Sequence, residues 1–134
     1  MNSFPLKIVT PDGLKFDGQV QQLTVRTTTG DMGVLAGHTN CVTPLGMGRA
    51  TILIDGQKRY AACIGGILSV MNRSVTLVPT TFEWAEEIDA ARADSAYQRA
   101  KAVLQNKDAS DTEIRLAEAR LHRALVRKSV SDYK

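Results

Sequence analysis

The sequence predicts an α+β fold with its two kinds of element kept apart. A small N-terminal antiparallel β-sandwich or barrel spans residues 1–84, and a C-terminal antiparallel two-helix hairpin spans residues 85–134. Three observations carry this. All ten glycines lie at or before Gly66. Residues 81–134 contain neither glycine nor proline. The spacing of apolar residues changes from alternation to a helical period at the same place.

Taken in order, the first half is a series of short strands broken by turn residues. LKIVT (6–10) stops at Pro11-Asp12-Gly13, where proline fixes φ and glycine accepts positive φ. QVQQLTVRT (19–27) sets Val20, Gln22 and Val25 among polar neighbours and reads as one half-buried strand. GRATILIDGQKRYAACI (48–64) holds Asp55-Gly56 between two strand-like runs, a strong hairpin signal. ILSVMNRSVTLVP (67–79) repeats the pattern around Asn72-Arg73-Ser74. Gly65-Gly66, inside a strand-like run, predict a bulge or the close approach of another backbone. With aromatics at 5%, the core should be aliphatic.

The second half reads as a helix from Glu86 to Gln105, with Ile88, Ala91, Ser95, Ala96, Ala100, Val103 and Leu104 along one side. NKDASD interrupts it. Ser110 with Glu113 forms a capping box and starts a second helix, whose stripe is Ile114, Ala117, Leu121, Ala124 and Leu125. A short connection makes the pair antiparallel. Alanine-rich faces bury little, about 0.8 kcal/mol per CH2, so a marginally stable pair is expected.

The net charge of +3 is modest and does not suggest nucleic-acid binding. Its distribution is uneven: +3 over residues 1–80, −4 over 81–113 and +4 over 114–134. The last two segments should attract each other. Cys41 and Cys63 make no metal-binding spacing, and a small buried thiol at Cys63 with no disulfide is expected. No signal peptide and no run of the ~20 apolar residues needed to cross a bilayer is read from the sequence.

No catalytic residue is expected. His38 in GVLAGHTN has no base or nucleophile at a recognisable spacing, and His122 reads as a solvated helix position. Gly30, Gly33 and Gly37 match no dinucleotide fingerprint, and no Walker pattern occurs. No metal site is expected either. The arginines hold more interest. Arg92 and Arg99 share one side of the first helix, and Arg123 and Arg127 one side of the second. Antiparallel packing should bring Arg123 and Arg127 opposite Arg92. Spacing leaves two readings open: Glu86, Glu87 and Asp94 pair with these arginines, or an anion such as phosphate does.

Several stretches, in order, resemble the epsilon-subunit family of bacterial F-type ATP synthases over the whole chain. They are Thr10-Pro11-Asp12-Gly13; Gly30-Asp31-Met32-Gly33-Val34-Leu35-Ala36-Gly37-His38; Gly65-Gly66-Ile67-Leu68-Ser69-Val70 followed by Val75-Thr76-Leu77; and Ile88-Asp89-Ala90-Ala91-Arg92-Ala93. Ala36 stands where the family usually has proline, and Asn40-Cys41 where it is commonly more apolar.

The resemblance implies a β-sandwich and helical hairpin placed in a rotor stalk. The sandwich would contact the gamma subunit and the ring of c subunits. The hairpin, when extended, would contact alpha and beta subunits and restrain ATP hydrolysis. It implies a peripheral place on the cytoplasmic face of the bacterial membrane, held only through the complex. It implies a subunit without catalysis of its own that couples proton flow to ATP synthesis. The ligand set it implies is regulatory ATP, not hydrolysed, at Glu83, Ile88, Asp89, Arg92, Ala93, Arg99, Arg123 and Arg127; magnesium is left open. Arginines would take the triphosphate, Glu83 the ribose hydroxyls, and Ile88 with Ala93 would leave room for adenine. Asp89 would bond the adenine amino group or orient Arg92. The alternative is a free-standing ATP-binding sensor.

Overall fold

Among residues 2–133, which the computed structural model describes, ten strands precede two α-helices. They are β1 (Phe4–Thr10), β2 (Gly13–Val20), β3 (Gln22–Thr27), β4 (Gly30–Val34), β5 (Cys41–Pro44), β6 (Met47–Ile54), β7 (Gln57–Ile64), β8 (Ile67–Met71), β9 (Ser74–Val78), β10 (Thr81–Trp84), α1 (Ala90–Leu104) and α2 (Asp111–Ser131). The chain divides into two compact units, the first ending at Trp84 and the second beginning at Ala85.

The first unit is a sandwich of two five-stranded sheets, ordered β2-β1-β9-β8-β5 and β10-β7-β6-β3-β4. Alternation builds it: Phe4, Leu6 and Ile8 turn inward along β1, as Leu23 and Val25 do along β3. Leu68, Leu77 and Ile52 complete an aliphatic centre. Aromatics close one side of it. Trp84 meets Phe82 edge-on at 4.9 Å, and the Arg59 guanidinium lies 3.7 Å from the Trp84 ring centroid. One pairing departs from the antiparallel expectation: β1 and β9 run parallel. Their connection passes through the other sheet, so no tight turn forces them antiparallel.

The stretch 19–27 is not one strand. β2 ends at Val20 in one sheet and β3 begins at Gln22 in the other. Gln21 is the corner, its N–H donating to the Leu53 carbonyl oxygen at 2.8 Å. A corner of this kind lets both Val20 and Leu23 point into the core, which strict alternation forbids. Asp55-Gly56 turns β6 into β7 with φ of 50° and 79°, the two positive values of a type I′ turn. Gly65-Gly66 carries the chain from β7 to β8, with φ of 66° and 98°. A β-carbon at Gly66 would collide with the Val78 carbonyl oxygen. Close backbone approach is therefore why glycine stands there.

In the second unit, Ala85–Glu87 form a single 3-10 turn, and α1 starts at Ala90 rather than Glu86. Asp89 is its N-cap. Gln105–Ser110 link the helices, and Ser110 with Glu113 makes both bonds of a capping box on α2. The buried row of α1 is Ala93 and Ala100, with Tyr97 and Leu104 half-buried; that of α2 is Ala117 and Ala124, with Ile114 and Leu121 half-buried. Ala91 and Ser95, expected on the buried side, are exposed, and so is Leu125 at 44%. Starting from Ala93, Ala91 and Ser95 lie about 200° round the helix, so the real stripe excludes them.

Candidate functional site

The acceptor that begins α1 is the Asp89 carboxylate, which takes the backbone N–H of Arg92 at 3.1 Å. It satisfies one of the orphan donors of the helix start and fixes where Arg92 enters the helix. Ile88, just before it, is buried at 1% exposure, and Ala93, just after Arg92, is fully buried. Arg92, Arg99 and Arg123 are exposed and Arg127 half-buried. Glu83 stands apart in the chain, half-buried on β10 of the first unit and in register with Ala62 of β7.

The helix pair has a definite level, set by Lys128 Nζ 2.9 Å from Asp94 Oδ1. In an antiparallel pair one helix rises as the other falls, about 1.5 Å per residue. Arg99 and Arg123, five residues from this pairing in opposite directions, therefore come level with each other. Arg127 comes level with the turn that begins at Arg92. The expectation that Arg123 lies opposite Arg92 is corrected: its counterpart is Arg99. Measured from the buried rows, Arg92 and Arg99 fall roughly 100–120° to one side of α1. Arg123 and Arg127 fall to the corresponding side of α2, roughly 100–140° from its buried centre. Facing antiparallel helices place both of these flanks on one rim. Four guanidinium groups thus share a rim, as two roughly level pairs.

Of the acids the sequence offered to these arginines, Asp94 turns elsewhere, while Glu86 and Glu87, like Arg127, each make interactions of their own. Asp94 is engaged by Lys128, and among the described residues no ion pair involves Arg92, Arg99 or Arg123. Lys128 holds the Asp94 carboxyl below its ordinary range, by hydrogen bond first and by charge second. Like charges brought together on one rim favour an anion, and planar guanidinium forks fit phosphate oxygens.

Sequence reasoning passed over Arg120, which is exposed on the same flank of α2 three residues before Arg123. The spacing of Arg120, Arg123 and Arg127 was the available signal. It also passed over Lys128 and Tyr97, whose meeting across the helices depends on the level of the pair.

His38 makes a local contact only: its Nδ1–H donates to the Thr39 carbonyl oxygen at 2.8 Å. Cys41 and Cys63 are free thiols on strands of different sheets, and burial pushes Cys63 up to about 12. Among the described residues no group of three or more His, Cys, Asp or Glu side chains is placed to hold a metal ion.

Comparison with known proteins matches both units in order. The family described as "ATP synthase, Delta/Epsilon chain, beta-sandwich domain" matches residues 3–85. "ATP synthase, Delta/Epsilon chain, long alpha-helix domain" matches residues 86–132. The chain is 42% identical over 131 residues to the ATP synthase epsilon chain of Bacillus velezensis, covering 98% of each. It is 41% identical over 115 residues to the epsilon chain of Bacillus subtilis, covering 86% of each. A chain in the cryo-EM structure of the Euglena gracilis mitochondrial ATP synthase superimposes with a TM-score of 0.83 at 26% identity, over 95% of this chain and 80% of that one. With both domains matched in sequence and relatives aligned end to end, the chain belongs to the ATP synthase delta/epsilon family, whose epsilon members are non-catalytic subunits.

Proposed function

We propose that the chain works in the rotating central stalk of a proton-driven ATP synthase, with its helix pair as a regulator of ATP hydrolysis. The sandwich joins the gamma subunit and the c-ring. The complex holds it peripherally at the cytoplasmic face of the membrane, and no helix among the described residues is long and apolar enough to cross one. The closed helix pair binds ATP without hydrolysing it. The opened pair reaches alpha and beta subunits and restrains hydrolysis.

The observation that supports the nucleotide reading is the shared rim of Arg92, Arg99, Arg123 and Arg127, built from both helices around an interface of largely small side chains. Triphosphate oxygens spread over these guanidinium groups would bind the closed pair and not the opened one. A ligand of that kind stabilises the closed state by about 2.7 kcal/mol at 100 times its Kd. Asp89 serves by fixing the start of the helix that carries Arg92. The parts of Glu83, Ile88 and Ala93 in ribose and adenine recognition, and any magnesium, rest on the family resemblance alone.

Calorimetric titration of the intact chain with ATP tests this. Saturable binding is expected, weakened roughly tenfold or more by Arg92→Ala with Arg123→Ala, since each removes charge-assisted bonds to phosphate. No saturable binding at millimolar ATP overturns the nucleotide reading. Failure of the chain to co-purify with a hexameric ATPase overturns the stalk reading.

A further inference from the structure

The α1–α2 contact is built largely on small side chains: Ala93 and Ala100 are buried on α1 and Ala117 and Ala124 on α2, with Val130 and Ser131 buried at the end of α2. Each methyl yields only about 0.8 kcal/mol, before the entropy of holding two helices together is counted. One place across the pair is built differently. Lys128 Nζ sits 2.9 Å from Asp94 Oδ1 and 4.4 Å from the centroid of the Tyr97 ring. Asp94 and Tyr97 are neighbours one turn apart on α1, so α2's ammonium is held by a carboxylate and a ring face together. Gln98, on the same helix, adds a smaller pull that favours the charged form of the Asp94 carboxyl.

The placement matters as much as the contacts. Asp94 lies two residues from Arg92, roughly 200° round the helix, so these contacts are on the rim opposite the arginines. We propose that Asp94, Tyr97 and Lys128 form a clasp that sets how much of the chain has its helix pair closed. The arginine rim takes Arg92 and Arg99 from one helix and Arg123 and Arg127 from the other, so it exists only while the pair is closed. The clasp therefore controls polyphosphate binding without touching the anion: apparent Kd rises as the closed fraction falls. This last step rests on the nucleotide reading above, whereas the clasp itself does not.

Hydrogen exchange of the intact chain separates the two. Asp94→Asn and Lys128→Gln should each speed amide exchange in both helices about two- to fivefold, the range an exposed ion pair supports. The exchanged pair, Asp94→Lys with Lys128→Asp, should recover much of the protection, which a general loss of packing would not allow. Added salt should speed exchange in the wild type more than in Asp94→Asn. ATP should slow exchange in both helices, and the single variants should need more ATP to reach the same rate. Unchanged exchange in both single variants, or no recovery in a folded exchanged pair, overturns the clasp. If the variants behave as expected but ATP slows nothing, the clasp stands and the nucleotide reading falls.

Discussion

The Asp89 carboxylate accepts the backbone N–H of Arg92 at 3.1 Å, so the acid and the arginine of Ile88-Asp89-Ala90-Ala91-Arg92-Ala93 are joined through the backbone, as a helix cap. Asp89→Ala should destabilise the helical unit by about 1 kcal/mol, the usual cost of losing a cap oxygen. Asp89→Asn, which caps as well, should leave it within a few tenths of a kcal/mol. Urea melts followed by helical circular dichroism measure both. Equal losses in the two variants would show that the charge, not the cap, matters.

The β8–β9 turn puts two non-glycine residues at positive φ, Asn72 at 52° and Arg73 at 68°. Asparagine tolerates that region; arginine meets the steric cost that L-residues bear there, about 1–2 kcal/mol. Arg73→Gly should raise the stability of the sandwich by about 0.5–1 kcal/mol after glycine's extra chain entropy is subtracted. Gly56→Ala, at 79° in the β6–β7 turn, should lower it by about 1 kcal/mol. Shifts of the unfolding midpoint in opposite directions are the expected result.

The two thiols should differ sharply toward an aromatic disulfide reagent at pH 8. Cys63 is buried in the sandwich core with its pKa pushed up to about 12, so little thiolate forms and little reagent reaches it. Cys41 is half-buried at the start of β5 and should react in the folded chain. One fast equivalent without denaturant and two with it are expected; two fast equivalents in the folded chain would contradict the core placement of Cys63.

How much of this was legible in the sequence follows from which interactions are local. Turns at Asp55-Gly56 and Asn72-Arg73 and the capping box at Ser110 are decided within four residues, and the sequence carries them. The chain's corner at Gln21 is not local. A bond to Leu53, far along the chain, makes it, and the alternation of 19–27 hides it. The parallel pairing of β1 with β9 is also long-range. In the helices, the apolar period locates two helices but does not fix the phase on α1, where Ala91 and Ser95 are exposed. When nearly every small residue is alanine, hydrophobicity no longer distinguishes the buried side. The arginine rim was legible as spacing; the partners of Arg99 and Arg123 needed the level that Asp94 and Lys128 set.

That level carries its own pH dependence. Lys128 draws the Asp94 carboxyl below the ordinary aspartate value of 3.8, by hydrogen bond first and charge second, with Gln98 adding a smaller pull in the same direction. A carboxyl whose pKa is lower in the folded chain than in the unfolded one binds fewer protons when folded. Its contribution is therefore complete above the unfolded value and is lost as pH falls through the folded one. Through neutral pH the Asp94–Lys128 contact should be constant, and helix-pair protection should decline only in the acid range below 3.8. Carbon-detected NMR titration of the Asp94 carboxyl should give a midpoint below 3.8, and Lys128→Met should return it upward to the ordinary value. A midpoint unmoved by Lys128→Met would mean that the two side chains do not meet in solution, and that the level of the two helices is set elsewhere.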